Sequence, residues 1–161
     1  RTFPANGKFN KEQAELYDLT LKATNTVIEA CKPGASLPSL HKLCIDILVD
    51  GLLEIGLLTG SKEKNIEDAT FRKYFPHGTG HFIGLDVHDV GNKDLILEEG
   101  MAFTVEPGIY VQTYDETAPE RYRGIGIRIE DNIVITKDGY LNLSEGCAKE
   151  RAEVEALVQQ G

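Results

Sequence analysis

The sequence predicts an α+β fold in which helices cover one face of a mostly antiparallel sheet. Two stretches between residues 10 and 56 carry apolar side chains every three to four positions, as amphipathic helices do. From about Phe75 the apolar residues alternate and glycine becomes frequent, as in strands joined by turns. With 161 residues, 41% of them hydrophobic and 27% charged, the chain is long enough for one domain with a sizeable core.

Two long helices are predicted in the first third of the chain. Asn10 and Gln13 have the spacing of a capping pair that opens the first helix, and the Pro-Gly pair at 33–34 ends it. The second helix is predicted to begin near Ser39 and to stop near Gly56. Both helices are expected to bury one apolar face.

The remainder of the chain is predicted to form strands, loops and one more helix. Strands are predicted, from β-branched content and period-two alternation, at residues 101–106, 109–113 and 125–136. The polar segment 59–70 predicts a loop or a short helix, 113–124 predicts a loop, and Lys137-Asp138-Gly139 predicts a turn. The last dozen residues predict a short C-terminal helix.

Charge and cysteine content narrow the class of protein. A net charge of −9 argues against nucleic-acid binding, which needs a basic face. The sequence has no apolar run long enough for a membrane span and no signal-peptide pattern. Cys31, Cys44 and Cys147 show no CxxC spacing; the first two fall in the predicted helices and are expected to be buried free thiols. We therefore expect a reducing compartment, the cytoplasm.

Three of the four histidines lie within twelve residues, at His77, His81 and His88. His77 and His81 have the i,i+4 spacing of a helical zinc pair, but the surrounding glycines disfavour a helix and the Glu of an HExxH motif is missing. In an extended chain they lie about 13 Å apart, at about 3.3 Å per residue, too far to bind one ion together. We predict a groove wall in which one histidine binds metal and the others address substrate. The alternative is a glycine-rich surface loop.

Two carboxylates stand in the predicted strands. Glu106 ends an apolar strand and precedes Pro107, and a Glu in so apolar a run is costly unless it is paired or bound to a cation. Arg128 and Glu130 share one face of the strand 125–136. These positions could instead be a water-facing strand end and a surface ion pair. Two carboxylates and a histidine form an oxygen-rich set that suits Mn²⁺ better than a thiolate zinc site does.

Taken together, these segments resemble aminopeptidase P (Xaa-Pro aminopeptidase), a family of pita-bread metallopeptidases with a curved sheet. The resemblance rests on the segments RTFPANGKF, HGTGHFIGLDVHDVG, GMAFTVEPGIYV and RGIGIRIEDNIVIT, in that order, and spans essentially the whole chain. It implies hydrolysis of peptides with proline at the second position, by a pair of divalent metals, usually Mn²⁺ in the bacterial enzymes.

The resemblance also implies roles for particular residues. Metal ligands are implied at His81, Glu106 and Glu130, with Glu130 bridging the two ions. His77 and His88 match histidines that contact substrate and assist proton movement, and Tyr110 and Arg128 match supporting positions.

Two aspartate ligands of the family have no counterpart in this chain, because both belong upstream of Arg1. We therefore expect residues 1–161 to be one partial catalytic domain, the C-terminal half of the pita-bread fold, with an incomplete site and little activity alone. The alternatives are prolidase, which cleaves only the dipeptide, and a non-catalytic module that binds peptide or protein. A third is a truncated chain that acts only as an interaction or assembly piece, since apolar surface left by a missing half favours self-association. We also expect a homo-oligomer.

Overall fold

The computed structural model describes residues 1–92 and 94–159, and it confirms the α+β class. The helices are α1 (Lys11–Glu29), α2 (Leu37–Glu54), α3 (Lys62–Glu67) and α4 (Arg151–Val158). The strands are β1 (Ala102–Val105), β2 (Gly108–Tyr110), β3 (Gly126–Arg128), β4 (Asp131–Thr136) and β5 (Gly139–Asn142). Short 3₁₀ turns lie at Thr70–Lys73 and Glu120–Tyr122. The predicted turn before β5, the short helix within 59–70 and the C-terminal helix are therefore confirmed.

Capping residues fix where α1 and α2 begin. Asn10 accepts a hydrogen bond from the Gln13 backbone at 2.8 Å, and the Gln13 side chain accepts one from the Asn10 backbone at 3.0 Å, which is the predicted capping box. The predicted start of α2 at Ser39 was wrong by two residues. Ser36 lies in extended backbone and caps the helix by accepting from the Ser39 N–H at 3.3 Å, so Ser39 is already in the first turn.

The strands form two antiparallel sheets, one in the order β1-β4-β5 and one of β2 and β3. The predicted single strand 125–136 is in fact β3 and β4, which belong to different sheets. The register nevertheless continues across the interruption, since Val105 pairs with Asp131 before it and Gly108 pairs with Arg128 after it. β1–β2 and β3–β4 thus form one long ribbon that is interrupted for two residues on each strand.

A fourth chain segment runs along the open edge of β1. Within residues 79–83, three backbone hydrogen bonds join this edge: Ile83 N to Ala102 O (3.0 Å), Thr104 N to His81 O (2.9 Å) and Glu106 N to Thr79 O (2.7 Å). The histidine segment is therefore extended, as its glycines predicted.

One hydrophobic cluster joins the helical and strand-rich parts of the chain. Its fully buried members include Leu16, Leu48, Leu52, Phe103, Ile109, Ile129 and Ile133. Cys44 lies in this core within α2, whereas Cys31 lies just beyond the end of α1 and not inside it as predicted; both are buried free thiols. Of the helices in the described part of the chain, none has the length and apolarity to cross a bilayer.

Candidate metal centre

Two carboxylates lie opposite each other where the ribbon is interrupted. Glu106 and Pro107 stand on one strand and Ile129 and Glu130 on the other, and the continuing register sets Glu106 opposite Glu130. Pro107 has no N–H to give to the ladder, which explains why pairing lapses here. Like charges directly opposite each other destabilise a sheet, so this arrangement favours a cation between them.

His81 reaches the same point from the edge segment. Its Nδ1 lies 2.9 Å from the carbonyl oxygen of Phe82, which can only accept, so Nδ1 carries a proton and donates. In the neutral ring, Nε2 then has a free lone pair that can bind a metal ion. This nitrogen lies 3.2 Å from Glu106 Oε1. A backbone carbonyl that fixes the tautomer in this way is a common support for a metal-binding histidine.

The three side chains fit a metal ion. Ligand atoms of His81, Glu106 and Glu130 all lie within 4.8 Å of one another. Glu106 is buried, while His81 and Glu130 are half-buried, so the carboxylates are partly withdrawn from water. His81 Nε2 lies 3.2 Å from Glu106 Oε1, so these two atoms can bind one ion together.

A hydrogen-bonded chain of His77, Tyr110 and Arg128 lies beside these donors. Arg128 Nε donates to the Tyr110 hydroxyl at 2.6 Å, and that oxygen lies 2.8 Å from His77 Nε2. Burial raises the pKa of Tyr110 despite the opposing effect of the nearby Arg128, so the hydroxyl keeps its proton at neutral pH. Because His77 Nδ1 donates to Gly78 O at 2.7 Å, Nε2 of the neutral ring accepts from Tyr110.

Arg128 also faces the carboxylates. Its Nη1 lies 3.5 Å from Glu106 Oε2, and Thr2 fixes its backbone by accepting from Arg128 N at 3.0 Å and donating to Arg128 O at 2.9 Å. The hydrogen bond to Tyr110 raises the pKa of the guanidinium above its already high value. Arg128 is thus a permanent positive charge at the edge of the acidic pair.

His88 is exposed, and a tight loop returns it to the site. Asp89 N donates to Phe82 O at 3.1 Å, and Asp89 Oδ2 accepts from Leu85 N at 3.0 Å, which closes residues 82–89 into a loop. The ring of His88 then lies beside that of His81, with centroids 4.3 Å apart and the two planes tilted by 53°. His88 therefore borders the site from the solvent side.

All seven residues singled out from the sequence lie around this one point, but not all contact the donor atoms. His77 is separated from the three donors by Tyr110 and is not part of their cluster, as its spacing from His81 predicted. Sequence reasoning missed Thr104, whose hydroxyl contacts both Glu106 and the backbone of His81. The sequence could have predicted this position, because side chains two residues apart in a strand point to the same face. Thr104 therefore shares a face with Glu106, just as Arg128 does with Glu130.

Sequence comparison decides the family. Residues 1–137 match metallopeptidase family M24. The chain belongs to this family. A Haemophilus influenzae protein named Xaa-Pro aminopeptidase is 46% identical over 98% of this chain, and human Xaa-Pro aminopeptidase 3 is 41% identical over 99% of it.

Structure comparison agrees with this assignment. Aminopeptidase P from E. coli with the inhibitor Pro-Leu superposes with a TM-score of 0.96 and 45% identity over 99% of this chain. The fold is therefore a portion of the pita-bread fold of aminopeptidase P. A zinc-substituted E. coli aminopeptidase P in complex with product matches equally well, in keeping with divalent metals in this family of metallopeptidases.

The chain accounts for part of these proteins. It spans 37% of the H. influenzae protein, 32% of the human protein and 37% of the E. coli chain. The described residues therefore bring three candidate ligands together in a chain that spans about a third of these proteins.

Proposed function

We propose that the protein containing this chain is a metal-dependent aminopeptidase that releases the N-terminal residue from peptides with proline at the second position. The observation that carries the proposal is the meeting of His81, Glu106 and Glu130, with ligand atoms within 4.8 Å of one another at the interruption of the ribbon. The names of the relatives, Xaa-Pro aminopeptidases from bacteria to human, support the substrate class.

Each of the three donors has a role in the proposal. His81 Nε2 and the carboxylates of Glu106 and Glu130 would hold the divalent metal. Divalent ions in such a site lower the pKa of bound water and polarise the scissile carbonyl. The oxygen-rich donor set favours Mn²⁺ as the ion.

The neighbouring side chains handle substrate and protons in the proposal. His77 contacts the peptide in this proposal, and the Tyr110 hydroxyl, 2.8 Å from its Nε2, orients the ring. His88, exposed and with its ring next to that of His81, can take a proton from the solvent side or return one to it. Arg128 keeps the Glu106 carboxylate oriented through Nη1 at 3.5 Å and keeps Tyr110 in place.

The remaining expectations about the protein also stand as proposals. Residues 1–161 form one partial catalytic domain, supported by a single core that joins the two parts of the chain. The part of the chain that the structure describes brings three ligands together, against five implied by the family resemblance, so the isolated chain should bind Mn²⁺ weakly and show no turnover. We also propose a homo-oligomeric, cytoplasmic enzyme, and the two buried free thiols support a reducing compartment.

The test is turnover by the full-length protein loaded with Mn²⁺, on an Xaa-Pro-Yaa tripeptide and an Xaa-Pro dipeptide. We expect release of Xaa from the tripeptide, and a loss of at least about 100-fold in kcat/KM in Glu130→Gln, because the amide cannot supply the charge that holds the ions. Glu120→Gln, a change in the loop that precedes β3, is the matched control and should leave turnover unchanged.

Each outcome separates one reading from the others. Cleavage of the dipeptide alone makes the protein a prolidase. Retention of Mn²⁺ binding with no turnover of either peptide favours a non-catalytic peptide-binding module. For the isolated chain, tight binding of two Mn²⁺ ions in a calorimetric titration would contradict the incomplete site.

A further inference from the structure

We infer that Thr104 is a positioning residue of the metal centre, and that its hydroxyl locks Glu106 and His81 into one unit. The inference rests on the proposed function, because it assigns a role within the proposed metal site. Thr104 is the third residue of β1, on the same strand face as Glu106, and only 3% of it is exposed. It is neither a proposed metal ligand nor a residue that touches the substrate.

The direction of each hydrogen bond at Thr104 follows from the chemistry of its partners. The His81 backbone N–H donates to Oγ1 at 3.0 Å. The Glu106 carboxylate can only accept, so the hydroxyl proton of Thr104 is donated to Oε1, 3.1 Å away. Because a hydroxyl has one proton and two lone pairs, both bonds form at the same time and neither competes with the other.

These bonds couple two donors that come from different segments of the chain. Thr104 N also donates to His81 O at 2.9 Å, so Thr104 binds both backbone polar groups of His81. Glu106 Oε1, the oxygen that Thr104 holds, is the same oxygen that lies 3.2 Å from His81 Nε2. The second oxygen, Oε2, faces Arg128 at 3.5 Å. Thr104 and Arg128 therefore hold the Glu106 carboxylate from its two ends.

The consequence is pre-organisation of the pair for an ion. Without the hydroxyl, Arg128 alone holds the carboxylate, at its other oxygen, and the part-buried His81 N–H loses its acceptor. Loss of a partner that orients a metal ligand typically weakens metal affinity about 10- to 100-fold. Serine, which has the hydroxyl but not the methyl group, should keep the metal affinity and lose only the packing contacts of the methyl group.

The experiment compares Thr104→Val with Thr104→Ser in the full-length protein. Valine has the same shape and suits a strand, so the fold should form, while serine keeps the hydroxyl. We expect the Mn²⁺ dissociation constant from calorimetry to rise about 10- to 100-fold in Thr104→Val and to stay within about threefold of wild type in Thr104→Ser. Melting temperatures are recorded on the same samples, and titrations are made well below them.

The outcomes distinguish this inference from the proposed function. Wild-type affinity in a folded Thr104→Val overturns the positioning role alone, as does a Thr104→Ser that loses affinity as severely as the valine variant. If Thr104→Val does not fold, the serine variant decides, because a retained dissociation constant despite a lowered melting temperature supports the role of the hydroxyl. A wild-type protein that binds no Mn²⁺ overturns the proposed site and this inference with it.

Discussion

At the scale of single residues, the surroundings of His81 decide what it can bind. The Phe82 carbonyl accepts a hydrogen bond from the Nδ1–H group of His81, and Nε2 faces Glu106. The spacing of the histidines was enough to predict that His77 and His81 do not share an ion, because extended backbone separates them. The tautomer could not be predicted, since it depends on where the carbonyl of the next residue points.

The three cysteines give a test of burial at the same scale. Burial raises the pKa of both Cys31 and Cys44 to about 12, whereas Cys147 is exposed. The thiolate is the reactive form, and at pH 8 a pKa near 12 leaves about one buried thiol in ten thousand ionised. We expect one fast-reacting thiol per native 161-residue chain with a disulfide reagent at pH 8, and three in urea.

A Cys147→Ser variant serves as the control for that assignment. It should lose the fast phase and keep the two thiols that react only after unfolding. Fast reaction of Cys31 or Cys44 in the native chain, located by mass spectrometry, would contradict the buried core around α2.

At the scale of elements, the site depends on how closely the edge segment 79–83 approaches β1. A Cβ on Gly80 would lie 1.8 Å from the backbone oxygen of Thr104, so only glycine permits the contact that brings His81 to Glu106. The sequence predicted strands on both sides of the site and the face shared by Arg128 and Glu130. It did not predict the division into β3 and β4, because the isoleucine alternation runs through the interruption without change.

Replacement of Gly80 by alanine should therefore disrupt both stability and metal binding. The clash is with backbone and cannot be relieved by a rotamer change, so we expect a loss of about 2–3 kcal/mol in the free energy of unfolding, the upper part of the range for overpacking. Urea denaturation measures the first effect, and a calorimetric Mn²⁺ titration of the full-length protein should show weaker binding.

Gly78→Ala is the matched control in the same segment. The nearest atom to its added Cβ lies 3.7 Å away, an ordinary contact. Its unfolding free energy should change by less than about 1 kcal/mol. Equal effects of the two substitutions would contradict the close approach at Gly80.

At the scale of the whole molecule, one buried carboxylate ties together parts of the chain that are far apart in sequence. Asp131 is fully buried and pairs with Arg1 at 2.6 Å and Lys149 at 2.7 Å, and it accepts from Asn142 at 3.1 Å. Arg1 also donates to the backbone oxygen of Glu130, so this cluster lies directly behind a proposed ligand. Period-two alternation places Asp131 on the same face as the buried isoleucines and so predicts its burial. Its contact with Arg1, 130 residues away, cannot be predicted from periodicity.

The Asp131 cluster should be among the most sensitive points of the fold. Asp131→Asn keeps the shape but leaves two cations without their counter-charge, and removal of one partner from a buried ion pair costs about 3–5 kcal/mol. Arg1 and Lys149 retain 17% and 21% side-chain exposure, so we expect the lower end, about 3 kcal/mol, in the free energy of unfolding from urea denaturation. The control is Asp46→Asn, which removes an exposed partner of Lys62 and should cost less than about 1 kcal/mol, since Asp50 remains at 2.7 Å. A loss below about 1 kcal/mol in Asp131→Asn would mean that the buried charge is compensated by water and that the backbone of Glu130 does not depend on it.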